Sequence, residues 1–163
     1  MWTSQRLKST MDSDRNPNHL YGPFRLAFER VLEQMQEWLN AHHAGVTCKM
    51  IEGYRSAGYQ AELYSHGRNG DPRPIVTWRD GSNQLSDHQS SLAGDIGFFD
   101  EKGAYIEEPG HDFWLYYGHL VRAMCLEWGG TWHKPDEDHA QWPEGDHQTY
   151  ASARQWQRAM KLA

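Results

Sequence analysis

Residues 24–42 place Phe24, Phe28, Val31, Leu32, Met35, Trp38 and Leu39 three and four positions apart. That spacing gathers apolar side chains on one face of a helix, and Gly45 follows as its stop. Residues 46–51 alternate well enough for a strand. Ser56 stands where a helix N-cap is wanted. A second helix is therefore expected to about residue 66, with Gly67 ending it. Residues 93–99 read as a strand and 100–103 as the turn after it. A third helix is expected over about 112–128, closed by Gly129 and Gly130. A further strand is expected around 139–142 and a last helix over 149–162.

Two stretches lack such a pattern. Residues 67–90 are rich in Gly, Pro, Asp, Asn and Ser, and a loop of that length is often functional. Residues 1–22 are polar, with Pro17 and Pro23 near the end. They read as an irregular arm with a short helix near 4–11. Strands mixed with helices, without regular alternation, predict an α+β fold with a small, mainly antiparallel sheet and flanking helices. The length, 163 residues, suits a single domain.

Composition narrows the function classes. The formal net charge of -6 speaks against nucleic-acid binding. No stretch approaches the roughly 20 apolar residues of a membrane span, so stable membrane insertion is not expected. The first residues contain no apolar core of a signal peptide, which predicts synthesis in the cytoplasm. Cys48 and Cys125 lie far apart and form no CxxC. The ten His are more telling, because neutral imidazole is the commonest metal ligand.

The segment SDHQSSLAGDIGFF puts His88 in a loop and Asp95 in the strand that follows. The segment KPDEDHAQW puts His139 at the start of a strand. Singly, each His is more simply a surface residue. Together with Asp95 they form a three-ligand set that leaves the fourth position of one zinc ion open, as catalytic zinc sites do. The donor set also tolerates other divalent ions. Asp95 lies in an otherwise apolar strand, where an unpaired carboxylate is costly, and a cation supplies the partner. Hydrolysis also needs a general base. Asp136, Glu137 and Asp138 are the candidates. Strand alternation points Asp138 away from His139 and leaves Glu137 as the serious rival to Asp136. Glu144 and His147 repeat the acid-x-x-His spacing as a weaker second candidate.

These residues resemble a known family. S-x-H-x(6)-D with a later D-x-x-H is similar to the zinc DD- and LD-peptidases of the VanY and phage-endolysin type. EGYRSAGYQAELYSHGR, IVTW (similar to a family strand) and WGGTW extend the likeness across about residues 46–142. The resemblance implies a Hedgehog/DD-peptidase-like fold, His88, Asp95 and His139 as zinc ligands, and Asp136 as base. It implies Arg55 on the substrate carbonyl and its oxyanion, Ser86 in the substrate pocket, and Gln60 supporting Arg55 or the substrate. It implies a peptidoglycan stem peptide as substrate, with the L-Ala–D-Glu bond favoured. A monomeric endolysin released by a holin to act on the wall is the expected setting. Arg79 and Lys134 are candidates to meet the D-glutamate carboxylate. A D,D-carboxypeptidase or dipeptidase, and a non-catalytic wall-binding module, are the alternatives. One departure stands out: the family's usual Gly in the metal loop is Ser91 here.

Overall fold

The computed structural model describes residues 13–162. The helix expected near 4–11 lies outside the described residues. Among the described residues, four α-helices and four strands follow in the order α1 (Gly22–His42), β1 (Thr47–Glu52), α2 (Ala57–Ser65), β2 (Ala93–Phe99), α3 (His111–Ala123), β3 (Glu127–Trp128), β4 (His139–Gln141) and α4 (His147–Met160). The strands form one sheet in the order β1-β2-β4-β3, and each neighbouring pair is antiparallel. The fold class is α+β, as the pattern predicts.

The core lies between the sheet and helices α1 and α3. Phe24, Phe28, Val31, Met35 and Leu39 of α1 are buried, in the rhythm of the predicted stripe. They meet Leu92, Ile96 and Phe98 around β2 and Phe113, Tyr117 and Val121 on α3. Gly94 lets α1 close on the sheet. A Cβ there would stand 2.7 Å from the Phe28 ring. The strand that carries Asp95 thus rests directly on the buried face of α1.

Three elements differ from the sequence reading. The third helix ends at Ala123, five residues before the expected limit, because Cys125 takes φ 57° and turns the chain. Leu126 and Trp128 are then buried on either side of a half-exposed Glu127, the two-residue rhythm of a strand. The Gly pair closes this strand rather than a helix, and it makes room for Trp128. A Cβ on Gly118 or Gly130 would lie 2.2 Å from the indole. The segment IVTW forms no ladder: residues 75–78 run irregularly. The last helix begins two residues early, at His147, where the Asp146 carboxylate accepts from the Thr149 amide.

Candidate metal centre

Asp95 and His139 are directly opposed partners on β2 and β4, so their side chains share one face of the sheet. His88 reaches the same point from a short 3-10 turn, Asp87–Ser90, that leads into β2. His139 Nδ1 lies 2.9 Å from Asp95 Oδ1. His88 Nε2 lies 3.4 Å from that oxygen and 3.3 Å from His139 Nδ1. All three residues are buried.

The far side of each imidazole is tied to an oxygen. His88 Nδ1 donates to the Gly53 carbonyl at 2.7 Å, which leaves Nε2 as the lone-pair nitrogen. Gln141 fixes the other ring. Its amide nitrogen donates to Glu127, so its oxygen must face His139 Nε2, 3.0 Å away. His139 Nε2 is then the donor and Nδ1 is free to ligate. Such outer contacts set the tautomer and aim of metal-binding histidines. Two imidazole nitrogens and a carboxylate oxygen, all within 4.8 Å of one another, fit a zinc-type divalent ion. Burial alone would lower the His139 pKa, but the hydrogen bond and charge of Asp95 raise it to about 9, with Asp136 adding to the rise. The raised pKa favours a proton on His139 facing Asp95 in the metal-free cluster, and a divalent cation would take its place.

The turn itself is held from behind. Ser91 adopts φ 59°, the left-handed region that L side chains resist. It thereby reaches the conformation for which the family's usual Gly is suited. The fully buried Gln157 of α4 donates to Ser91 Oγ at 2.8 Å and to the Gln89 carbonyl at 2.7 Å. The Tyr150 hydroxyl adds a bond to Asp87 at 2.5 Å. The serine hydroxyl is therefore used, which a glycine would not allow.

Arg55 sits under the centre. A register shift in β1 between Met50 and Glu52 sets Glu52 opposite Asp95, and such bulges re-aim side chains. Arg55 donates to both Glu52 oxygens at 2.9 and 2.8 Å and to Gln60 Oε1 at 2.8 Å. Burial would raise the Glu52 pKa, but Arg55 outweighs it and lowers it. Three of the five guanidinium N–H groups are used, and the ion pair is close to neutral overall. Gln60 also donates to Thr77 Oγ1 and the Arg79 carbonyl. Its place is behind Arg55, away from the cleft wall.

Above these residues opens a cleft of about 1030 Å³, lined by Arg55, Ser86, His88, Asp136 and His139 among others. Glu137 and Asp138 also line it. Trp78 and Trp132 form its aromatic wall, and the Trp132 ring lies 5.1 Å from that of His139. The Glu144 and His147 pair forms no comparable cluster: among the described residues the one candidate metal group is His88, Asp95 and His139. Glu144 binds Arg79 instead. Sequence reasoning did not find Glu52, Gly53 or Gln141. The Glu52-x-x-Arg55 spacing and the two-residue step from His139 to Gln141 on one strand face were the available signals.

No family model matches the chain. Over 99 residues it is 31% identical to the peptidoglycan L-alanyl-D-glutamate endopeptidase CwlK of Bacillus subtilis. That match covers 56% of this chain and 58% of the relative. Among solved structures it is similar to the L-Ala D-Glu endopeptidase ChiX of Serratia marcescens, with a TM-score of 0.54 and 20% identity over 85% of this chain and 91% of the other. The DD/LD-peptidase resemblance holds in sequence and in fold. At 20% identity the solved structure speaks for the architecture alone. The chain matches a little over half of that relative's length.

Proposed function

We propose that the chain is a zinc-dependent peptidase that hydrolyses a peptide bond in the peptidoglycan stem peptide, with the L-Ala–D-Glu bond as target. The observation that carries this reading is the convergence of His88 Nε2, His139 Nδ1 and the buried Asp95 Oδ1 beside an open cleft that both histidines line. A buried structural metal would have no such opening. The CwlK match supplies the substrate class.

The zinc ion held by these residues would supply Lewis acidity and lower the pKa of water. Asp136, half-buried on the cleft wall, accepts the proton of the attacking water and returns it to the departing amine. The unused N–H groups of Arg55 donate to the carbonyl oxygen as negative charge builds there. Arg55 acts through aimed dipoles more than net charge, since Glu52 balances it. Ser86 lines the substrate path, and Gln60 holds Arg55 in place. The proposed setting is wall lysis by a monomeric endolysin released through a holin. No described helix is long and apolar enough to cross a membrane.

The test is purified protein with zinc on muropeptides. Release of new amino termini between L-Ala and D-Glu, read by mass spectrometry, is expected. Loss of a single terminal D-Ala would assign a carboxypeptidase instead, and tight wall binding without cleavage would assign a binding module. Asp136→Ala should keep the metal and abolish turnover. Activity retained in that variant would move the base role to Glu137.

A further inference from the structure

Three permanently charged cations line the cleft: Arg55, Arg79 and Lys134. Arg55 is taken by Glu52. Arg79 is taken by Glu144, at 2.6 Å. Lys134 forms no salt bridge among the described residues. Its ammonium sits 3.7 Å from the centroid of the Trp78 ring. A cation on an aromatic face is held in position without losing its hydrogen-bonding capacity, and the ammonium has three donors to offer.

The surroundings give this seat a meaning. Trp78 is 54% exposed and Trp132 38% exposed, so both are large apolar groups kept at the surface of the cleft. Trp132 packs against a metal-centre histidine, and Lys134 follows it by two residues. Two residues span at most about 7 Å of chain, so Lys134 stands on the same stretch of cleft wall as Trp132, beside the metal centre. Elsewhere the cleft carries Glu107, Glu108 and Glu137, which repel an anion. An anionic group of a bound peptide has one unmatched cation to meet.

We infer that Lys134, seated on Trp78, binds a free carboxylate on the residue that follows the scissile bond, and so makes the enzyme selective for the acid over its amide. The inference rests on the proposed peptidase reading and adds the specificity-determining residue. A D-glutamate left as the free acid would be preferred to the same residue amidated to D-isoglutamine.

The experiment uses the zinc-loaded protein and two synthetic muropeptides that differ only in that carboxylate or carboxamide. The wild type should favour the acid by about 10- to 30-fold in kcat/KM, mostly through KM, as a charge-assisted hydrogen bond would give. Lys134→Met should erase the preference by raising KM for the acid far more than for the amide. Lys134→Arg should keep most of it. A wild type without preference, or a Lys134→Met variant that retains it, overturns the inference alone. Absence of cleavage of both peptides by the wild type overturns the peptidase reading instead. Calorimetric binding of the same two peptides then decides on Lys134 independently of turnover.

Discussion

Arg55 and Lys134 both face the cleft, but only one of them is bound into the fold. Arg55 is 4% exposed and makes three hydrogen bonds to two buried partners. Lys134 is exposed and touches one aromatic ring. A buried cation must be matched or it is too costly to keep, so Arg55 has its position fixed and its charge cancelled. A solvated lysine on a tryptophan keeps its charge for a ligand. The floor of the site is therefore built for geometry and the wall for recognition. Floor substitutions should damage metal binding, folding or chemistry, while substitutions at the Trp78–Lys134 seat should change only which peptide is accepted.

The largest effect is expected at the metal cluster. His88→Ala should reduce the metal content from about one ion per chain towards none, with loss of cleavage. Elemental analysis after gel filtration reads this directly, and full metal content in the variant would break the floor assignment. Next comes Arg55→Met, which strands Glu52 as a buried charge. The expected loss is about 3–5 kcal/mol, or a fall in melting temperature of roughly 10 °C for a chain of this size. Glu52→Leu combined with Arg55→Met should recover most of the stability but no activity.

The proton on His139 gives a third test. A raised histidine pKa stabilises the metal-free protein fully below its unfolded value near 6.5, and that contribution is lost as the pH rises through about 9. Metal must displace this proton. Apparent zinc affinity should therefore fall about tenfold per pH unit below about 9, measured by chelator competition. A flat profile between pH 6 and 9 would refute the coupling.

A smaller effect is expected at the back of the turn. Gln157→Ala leaves the Gln89 carbonyl and the Ser91 hydroxyl short of a donor, a loss of about 1–3 kcal/mol. Ser91→Gly should offset part of that loss in the same background, because glycine adopts the left-handed conformation freely. The smallest effect is on the wall: Lys134→Met should leave stability within about 0.5 kcal/mol of wild type, which calorimetry can check.

The sequence made the frame and the metal trio legible for different reasons. The α1 stripe was readable because burial follows the helical period, and β2 because a short, mostly apolar run ends at a turn. His88, Asp95 and His139 were readable because metal chemistry restricts residue types and the family motif restricts spacing. Glu52 and Gln141 were hidden, since their value depends on a β-bulge and a strand register that no local pattern states. The end of α3 was misread for a related reason. Helix and strand rhythms are alike over five residues, and the left-handed turn at Cys125 is not one a cysteine advertises. Ser91 looked like a weakness because its partner, Gln157, lies 66 positions along the chain.

That distant partner has a consequence for the order of events during synthesis. Every proposed metal ligand is joined to the growing chain before Gln157 is added. The turn carrying His88 still lacks the hydrogen bonds of Gln157 at that stage, and Ser91 is held in its left-handed conformation by backbone bonds alone. A nascent chain thus bears all three proposed ligands before it bears a finished centre, and the proposed metal capture would follow the docking of α4.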